Sequence, residues 1–285
     1  MISGTTSVFG IFGHPVEHTF SPGMHNAAFA KIKQDACYVP FSVAPADLER
    51  AVRAIVPLGI RGLNVTIPHK ETIIPFLDDL TDDARMIGAV NTIEVNRGKL
   101  IGHNTDGRGF LRSLREETGF RPKGKTILMI GSGGAARAVG INLALSGAQT
   151  ILLCDLDTVK AAKLARDIQN KTATRVNVVD PNDLGKASQD AECIINATPL
   201  GLKRGDPLPI SRQVIRKDQL VCDLVYNPLR TPLLKAARAA GADTLSGIGM
   251  LLYQGVIAFE IWTRRKAPVS VMKAALTRQI ERRGK

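Results

Sequence analysis

Several features that would assign this sequence to a class are scarce or absent. No apolar run approaches the roughly 20 residues that a membrane-spanning helix needs, so we expect no membrane insertion. Aromatic residues make up 5% of the chain, too few for a surface that stacks nucleobases. The N-terminal stretch MISGTTSVFGIFG lacks a basic region followed by an apolar core. We therefore expect no signal peptide and a cytoplasmic location.

Cysteine and histidine are also few. The four cysteines form no C-x-x-C pair and lie far apart, at Cys37, Cys154, Cys193 and Cys222. Three of them lie in apolar, strand-like runs, which predicts reduced and buried thiols. The five histidines are not clustered as zinc ligands would be. The sequence therefore predicts no metal site.

The charge is strongly unbalanced, with a formal net value of +12. Basic residues are scattered, and dense clusters occur only at 264–266 and 278–285. This distribution predicts a solvated basic surface that attracts small anions, and it does not favour a nucleic-acid partner. The 285 residues, 44% hydrophobic and 22% charged, are enough for two globular domains.

The clearest motif lies in residues 125–157. An apolar run at 127–130 leads into a glycine turn, a small-residue helical pattern and a second apolar run at 151–153. The turn has the spacing Gly131-x-Gly133-x-x-Ala136. In such a turn the first glycine allows the tight bend, the second allows a pyrophosphate to approach, and the small third residue allows close packing of helix on strand. Strand, turn and helix together predict dinucleotide binding.

Asp155 follows the second apolar run. An acid at this position accepts hydrogen bonds from the ribose hydroxyls and repels a 2′-phosphate, so it favours NAD over NADP. Lys160 is near in sequence and weakens that inference, and NADP stays the alternative cofactor. The competing interpretation is an acid that only ends a strand.

The first hundred residues alternate strand and helix patterns, which predicts a separate α/β domain. Thr19 and Ser21 are two hydroxyls at a helix start, with Ser21 expected as the N-cap, and they are a candidate carboxylate seat. Lys70 follows an expected strand, at an end where α/β proteins bind ligands. Thr198 follows another and is suited to line a cofactor. We also expect a helix at 72–77, a strand at 89–94 and a helix at 108–118 that bridges the domains.

Eight segments carry a resemblance to a known family. They are FGIFGHPVEHTFSPGMHNAAF, NVTIPHK, GAVNT, HNTDGRGF, GSGGAARA, NATPLGL, DLVYNP and GIGMLLYQG. In this order they resemble the shikimate dehydrogenase family, over nearly the whole chain. The resemblance implies an α/β fold of two domains: a substrate domain, 1–108 plus 251–285, and a Rossmann-like doubly wound dinucleotide domain, 109–250. It also implies a cleft between them for a cyclic polyhydroxy acid.

The resemblance implies roles for individual residues. The carboxylate-binding hydroxyls fall on Thr19 and Ser21. Other substrate-binding positions fall on Thr66, Lys70, Asn91, Asp106, Tyr226 and Gln254. Lys70, with Asp106 beside it, matches the catalytic position. The pyrophosphate loop falls on Gly131, Ser132, Gly133, Gly134 and Ala135, and further cofactor positions fall on Asp82, Leu224, Gly247 and Met250.

Two departures from the family pattern concern specificity. Thr19 stands where the family has serine, which keeps the hydroxyl but changes the substrate pocket. Asp155 and its neighbours stand where NADP-using members carry Asn-Arg-Thr, so the chain is more similar to the NAD-preferring quinate/shikimate branch. The implied reaction is reversible hydride transfer between shikimate and 3-dehydroshikimate, with Lys70 and Asp106 handling the 3-hydroxyl proton. Oxidation of quinate with NAD is the alternative.

Three other functions compete with this interpretation. A lyase or cyclohydrolase on a similar sheet would not need both NVTIPHK and HNTDG. A nucleotide sensor would not need Lys70 and Asp106 beside a full pocket. Nucleic-acid binding is supported by nothing except the net charge. The sequence leaves open the direction of the reaction in the cell and the oligomeric state, for which a homodimer is one candidate.

Overall fold

A computed structural model describes residues 2–283 of the chain. They form two compact units, each with its own sheet. The first unit holds the chain up to Thr105 and again from Gln254, and the second holds Asp106–Tyr253. None of the helices in the described part combines the length and apolar character of a membrane crossing.

The first unit begins with six strands and four helices. The strands are β1 (Ser7–Gly13), β2 (Ala36–Ser42), β3 (Ile60–Val65), β4 (Asp79–Leu80), β5 (Thr92–Asn96) and β6 (Lys99–His103). The helices are α1 (Ser21–Lys31), α2 (Leu48–Ala54), α3 (His69–Thr72) and α4 (Asp82–Ile87). Single 3-10 turns occur at Pro45–Asp47 and Ile74–Phe76.

The first sheet is mixed, with strand order β2-β1-β3-β5-β6-β4. β1, β2 and β3 are parallel, whereas β5 runs antiparallel to both β3 and β6. The amino end of β5 therefore lies at the same sheet edge as the carboxyl ends of β3 and β6. An apolar core that includes Phe12, Leu63 and Ile93 packs against this sheet. Burial of such side chains stabilises the unit by roughly 1.5–3 kcal/mol each.

The second unit contains five helices and six strands. The helices are α5 (Asp106–Thr118), α6 (Gly134–Leu145), α7 (Thr158–Gln169), α8 (Leu184–Asp190) and α9 (Pro232–Ala239). The strands are β7 (Thr126–Ile130), β8 (Thr150–Cys154), β9 (Arg175–Val179), β10 (Cys193–Asn196), β11 (Leu220–Asp223) and β12 (Asp243–Ser246). Short 3-10 turns occur at Pro181–Asp183 and Arg212–Val214.

The second sheet is parallel throughout, with order β12-β11-β10-β7-β8-β9. The strand order reverses between β7 and β10, as it does in the Rossmann fold. Residues Ile127 to Met129 of β7 are fully buried, which explains their unbroken apolar run. In open parallel sheets, ligands bind at the carboxyl ends of the strands beside this reversal.

Two helices complete the chain, α10 (Ile248–Thr263) and α11 (Val269–Arg283). α10 begins in the second unit, and its residues from Gln254 onwards belong to the first. Within the first unit, Trp262 of α10 donates its indole N–H to the Ile93 carbonyl at 2.9 Å. Phe259, on the same helix, packs with its ring 5.2 Å from that of Phe29 in α1.

The unit boundaries differ from 108/109 and 250/251 by a few residues. The helix expected at 108–118 begins at Asp106, the first residue of the second unit, and lies wholly in that unit. A Cβ at Gly107 would collide with Asn142 of α6, so even the first turn of α5 packs within that unit. At the other boundary, Tyr253 donates its hydroxyl to Glu116 of α5 at 2.7 Å.

Two further elements were predicted wrongly. The helix expected at 72–77 is replaced by α3, which ends at Thr72, and the 3-10 turn Ile74–Phe76 with Pro75 in its first turn. Proline lacks the N–H that a continuous helix would require there. The strand expected at 89–94 begins later, at Thr92. Just before it, the Asn91 side chain accepts the N–H of Thr105 and the hydroxyl of Thr92.

Candidate active site

Three predicted site residues lie together at one edge of the first sheet. Thr66 directly follows β3, and its carbonyl accepts the N–H of His69 at 2.9 Å. The carbonyl of Lys70 accepts the N–H of Val90 at 2.7 Å. Because Val90 directly precedes Asn91, this bond holds the Lys70 backbone close to Asn91. Strand pairing and these turns therefore bring Thr66, Lys70 and Asn91 to the same strand ends.

The side chain of Asn91 is buried, and its orientation is fixed by hydrogen bonds. Its Oδ1 accepts the backbone N–H of Thr105 at 2.7 Å and the hydroxyl of Thr92 at 3.1 Å. Its Nδ2 donates to the hydroxyl oxygen of Thr105 at 2.9 Å. These contacts preorganise the amide before any ligand binds.

A buried chain of hydrogen bonds reaches Asn91 from strand β2. The Tyr38 hydroxyl donates to Asn64 Oδ1 at 2.7 Å, and Asn64 Nδ2 donates to Thr92 Oγ1 at 3.0 Å. Burial raises the pKa of Tyr38 well above its usual value, against a hydrogen bond with Ser21 that lowers it. The phenol therefore stays protonated. Sequence patterns did not single out Tyr38 or Asn64, although an asparagine within the apolar run IRGLNV was an available signal.

Thr19 and Ser21 adjoin the start of α1. The expectation that Ser21 is the N-cap was wrong, because Phe20 occupies that position and Ser21 is the first helical residue. The Thr19 hydroxyl instead accepts the backbone N–H of Ser21 at 3.2 Å. Because Pro22 has no N–H, the first turn of α1 has one fewer N–H group that a capping side chain would need to accept.

Asp106, Gln254 and Asp82 lie on helices. Asp106 is the first residue of α5 and directly follows Thr105, which holds the Asn91 amide. Asp106 and Gln254 are buried, and buried polar groups need hydrogen-bond partners. Asp82 is exposed in the first turn of α4, and its role near a cofactor stays a prediction.

The glycine turn, Gly131, Ser132, Gly133, Gly134 and Ala135, joins β7 to α6. Gly131 has φ of +108°, and a Cβ there would lie 2.8 Å from the carbonyl carbon of Ala197. At Gly133 and Gly134 a Cβ would meet no atom of the described residues within 4 Å, apart from their immediate chain and helix neighbours. Gly133 is the N-cap of α6 and has no side chain to occupy the helix N–H groups. This open turn fits a pyrophosphate.

Asp155 is tied to the same turn. Its Oδ2 accepts the N–H and the hydroxyl of Ser132 at 2.7 and 2.6 Å, and its Oδ1 accepts the N–H of Asp157 at 2.9 Å. Lys160 Nζ lies 3.0 Å from Asp157 Oδ2. Hydrogen bonds with Lys160 lower the pKa of Asp157, and the bond with Asp157 raises the pKa of Lys160.

The remaining predicted residues follow the neighbouring strands β10, β11 and β12. They are Thr198, Leu224, Tyr226, Gly247 and Met250. Thr198 donates its hydroxyl to Asn196 Oδ1 at 2.6 Å, and the Leu224 N–H donates to the Asn196 carbonyl at 2.9 Å. A Cβ at Gly247 would collide with the Leu224 carbonyl, so these two segments approach closely.

Two family models match the chain. The substrate-binding domain of shikimate dehydrogenase matches residues 11–93, and the C-terminal domain of shikimate 5′-dehydrogenase matches residues 247–277. The second match covers the whole of α10 and the first part of α11. The order of the two matches along the chain is the order of the segments that suggested the family.

Full-length relatives extend this likeness. A shikimate dehydrogenase (NADP(+)) of Desulforamulus reducens is 50% identical over 283 residues, which cover 98% of this chain and 97% of the relative. A shikimate dehydrogenase solved with NADP+ is 43% identical, with a TM-score of 0.92 and 98% of both chains covered. The Listeria monocytogenes shikimate 5-dehydrogenase, solved with shikimate and NAD, is 38% identical, with a TM-score of 0.92 over 96% of this chain and 98% of that one. This chain therefore belongs to the shikimate dehydrogenase family.

Proposed function

We propose that the chain is a shikimate dehydrogenase that interconverts shikimate and 3-dehydroshikimate with a nicotinamide cofactor. The observation that carries this proposal is the grouping of Lys70, Thr66 and the preoriented Asn91 at one edge of the first sheet. A cyclic polyhydroxy acid needs such a set of amide, hydroxyl and ammonium groups. The Desulforamulus reducens shikimate dehydrogenase, whose match covers 98% of this chain, supports the same substrate.

The proposed chemistry divides between the cofactor and the chain. The bound nicotinamide supplies the hydride in one direction and accepts it in the other. In the direction of shikimate, Lys70 with Asp106 protonates the 3-oxygen as its negative charge develops. In the reverse direction Lys70 takes the proton of the 3-hydroxyl. Thr19 and Ser21 hold the carboxylate, and Thr66, Asn91, Tyr226 and Gln254 orient the ring, which lowers the entropic part of the barrier.

The catalytic role is tested by Lys70→Ala. We expect kcat for shikimate oxidation to fall about 10³-fold with a much smaller change in KM, since a positioned acid or base contributes about 10²- to 10⁴-fold. Lys99, an exposed lysine of the same unit, gives the matched control Lys99→Ala, which should keep wild-type rates. A large rise in KM with kcat intact would contradict the catalytic assignment.

We further propose that NAD is preferred over NADP. Asp155 presents a carboxylate at the strand end that faces the adenosine ribose in Rossmann folds. Three hydrogen bonds from Ser132 and Asp157 hold this carboxylate in place. Lys160, the nearest alternative partner for a 2′-phosphate in the sequence, is paired with Asp157. Since the Desulforamulus reducens relative is named for NADP(+), the preference needs direct measurement.

The decisive measurement is the initial rate of oxidation of shikimate and of quinate, each with NAD and with NADP. In Asp155→Asn the ratio of kcat/KM for NAD to that for NADP should fall about tenfold, the value of one charged hydrogen bond. Lys160→Ala is the control and should leave NADP turnover nearly unchanged. A wild-type preference for NADP, lost in Lys160→Ala, would show that Lys160 holds the phosphate.

Quinate is the second candidate substrate, because Thr19 departs from the family serine in the carboxylate seat. We also propose a cytoplasmic location, which suits the four free cysteines. A homodimer stays a prediction that light scattering would check.

A further inference from the structure

We propose that Asp223, Asn196 and Thr231 form a positioning junction, which fixes the two loops that carry Thr198 and Tyr226. We name these three residues the strand-end junction. The inference rests on the proposed function in one respect, namely that Thr198 lines the cofactor and Tyr226 the substrate. The junction residues themselves are positioning residues, because they act through those loops.

The centre of the junction is an amide–carboxylate pair. Asn196 and Asp223 are the last residues of β10 and β11, and they are partners in the register of these parallel strands. Asn196 Nδ2 donates to Asp223 Oδ1 at 2.9 Å. Both side chains are excluded from solvent, at 0% and 1% exposure. The pair is therefore built into the sheet edge where ligands of such folds bind.

Asp223 holds both ends of the loop 224–231. Its Oδ1 also accepts the N–H of Val225 at 3.1 Å, and its Oδ2 accepts the hydroxyl of Thr231 at 2.5 Å. Thr231 is in turn the N-cap of α9 and accepts the N–H of Leu234 at 3.3 Å. The single carboxylate of Asp223 thus holds the loop that contains Tyr226 at both of its ends.

Asn196 holds the other loop, residues 197–201. Its Oδ1 accepts the N–H and the hydroxyl of Thr198 at 3.1 and 2.6 Å, and its Nδ2 also donates to the Leu200 carbonyl at 3.0 Å. The amide cannot turn over without losing these bonds and the bond to Asp223. The orientation of Thr198 therefore depends on the carboxylate two strands from the glycine turn.

Stability alone does not explain a carboxylate at this position. Burial raises the pKa of Asp223, which shows that the ionised form is disfavoured by its surroundings. Well-packed apolar residues often replace buried ionic groups without loss of stability. A carboxylate that only accepts hydrogen bonds can instead gather donors from several segments at one point, which is what two ligand-binding loops require.

The test compares Thr231→Val with Thr231→Ser. Valine keeps the shape of threonine but removes the hydroxyl that donates to Asp223, whereas serine keeps that hydroxyl. Thr174→Val is the matched control. Thr174 is also buried in the second unit, and its hydroxyl donates to the Ala148 carbonyl at 2.8 Å. It directly precedes β9, so it lies at the amino ends of the strands, away from the junction. Dissociation constants for NAD+ and NADP+ are measured by calorimetry, together with melting temperatures and the KM for shikimate.

We expect Thr231→Val to weaken binding of the preferred cofactor about tenfold, because cofactor binding must then order loops that the bond to Asp223 no longer holds, at a cost comparable to one hydrogen bond to a charged group. Thr231→Ser should restore the affinity, and Thr174→Val should lower the melting temperature without weakening the cofactor. Unchanged affinity in Thr231→Val, equal weakening in Thr174→Val or no recovery in Thr231→Ser would overturn the proposal.

A second variant decides the matter if Thr231→Val does not fold. Asp223→Asn keeps the volume of the side chain, and the Thr231 hydroxyl oxygen can accept a hydrogen bond from the new amide NH2, so this variant should fold. We expect about threefold weaker cofactor binding, because one amide oxygen replaces two carboxylate oxygens among three donors. Wild-type affinity in Asp223→Asn would overturn the junction. Failure of the wild type to oxidise shikimate would instead overturn the proposed function and leave the affinity comparison valid.

Discussion

The two units hold the polar residues at their strand ends in different ways. In the first unit one chain of hydrogen bonds between uncharged side chains begins at Tyr38 and passes through Asn64 and Thr92 to Asn91. In the second unit two carboxylates, Asp155 and Asp223, each accept three hydrogen bonds from surrounding segments. One unit uses a neutral chain, and the other uses charged acceptors that gather donors.

The difference follows from what each group can do. Amides and hydroxyls both donate and accept, so they can be joined in series, and the orientation of each fixes the next. A carboxylate only accepts and has room for several donors, so it suits a point where loops converge. A neutral chain also avoids the cost of burying an ion. We therefore expect the chain in the first unit to be sensitive to loss of any one member.

The largest expected effect comes from breaking that chain in the middle. Asn64→Ala leaves the Tyr38 hydroxyl without its acceptor at 2.7 Å and Thr92 without its donor at 3.0 Å. We expect the free energy of unfolding of the first unit to fall by about 3 kcal/mol, because an unsatisfied buried polar group costs about 1–3 kcal/mol. Trp262 is the only tryptophan of the sequence, and its N–H bonds to Ile93 in this unit, so its fluorescence in urea reports the change.

The control for this variant is Asn96→Ala, at the exposed end of β5. It removes the same side chain and should change the free energy of unfolding by less than about 0.5 kcal/mol. A loss below about 1 kcal/mol in Asn64→Ala would mean that water or a rearranged Tyr38 replaces the missing amide. The proposed difference between the units, that the hydrogen-bond chain of the first unit cannot lose a member, would then be wrong.

The elements of the second sheet were predictable because each signal is local. The apolar runs at 127–130 and 151–153 fall within β7 and β8. The glycine turn was equally clear, since small residues at fixed spacing have few other uses. Errors occurred where a local pattern was ambiguous. Pro75 divides an apolar run that suggests one helix, and the apolar residues before Asn91 suggest a strand that begins only at Thr92.

The neutral chain of the first unit was harder to foresee. Asn64 and Tyr38 lie on different strands, and only the register of the sheet brings them together. The asparagine within an apolar run was an available signal for Asn64, but no local pattern shows which side chain of another strand it contacts. Asp155, by contrast, was identified from sequence because a charge at the end of an apolar run stands out. Its bonds to Ser132 became visible only in three dimensions.

A smaller effect on stability is expected from His25, which packs against Tyr38 at the start of the neutral chain. It tests whether the core of the first unit also excludes charge. His25 stacks on Tyr38 at 4.5 Å between ring centroids and has no exposed surface. Among the described residues, neither of its ring nitrogens has a hydrogen-bond partner. Burial lowers the pKa of His25 to about 3. The ring is therefore neutral and serves as an aromatic packing group, which phenylalanine could replace.

The sign of the resulting pH dependence is fixed by this pKa. Below about pH 6.5 the unfolded chain protonates His25 whereas the folded chain does not, so acid stabilises the unfolded state. We expect the wild type to lose about 2 kcal/mol of unfolding free energy from this group between pH 8 and pH 5, and His25→Phe to escape that loss. The exposed control His14→Gln should follow the wild type, with Trp262 fluorescence in urea as the readout for all three proteins. Parallel pH curves for wild type and His25→Phe would mean that His25 is protonated in the folded protein. The core next to Tyr38 would then hold a buried charge, contrary to the proposed neutral chain of hydrogen bonds.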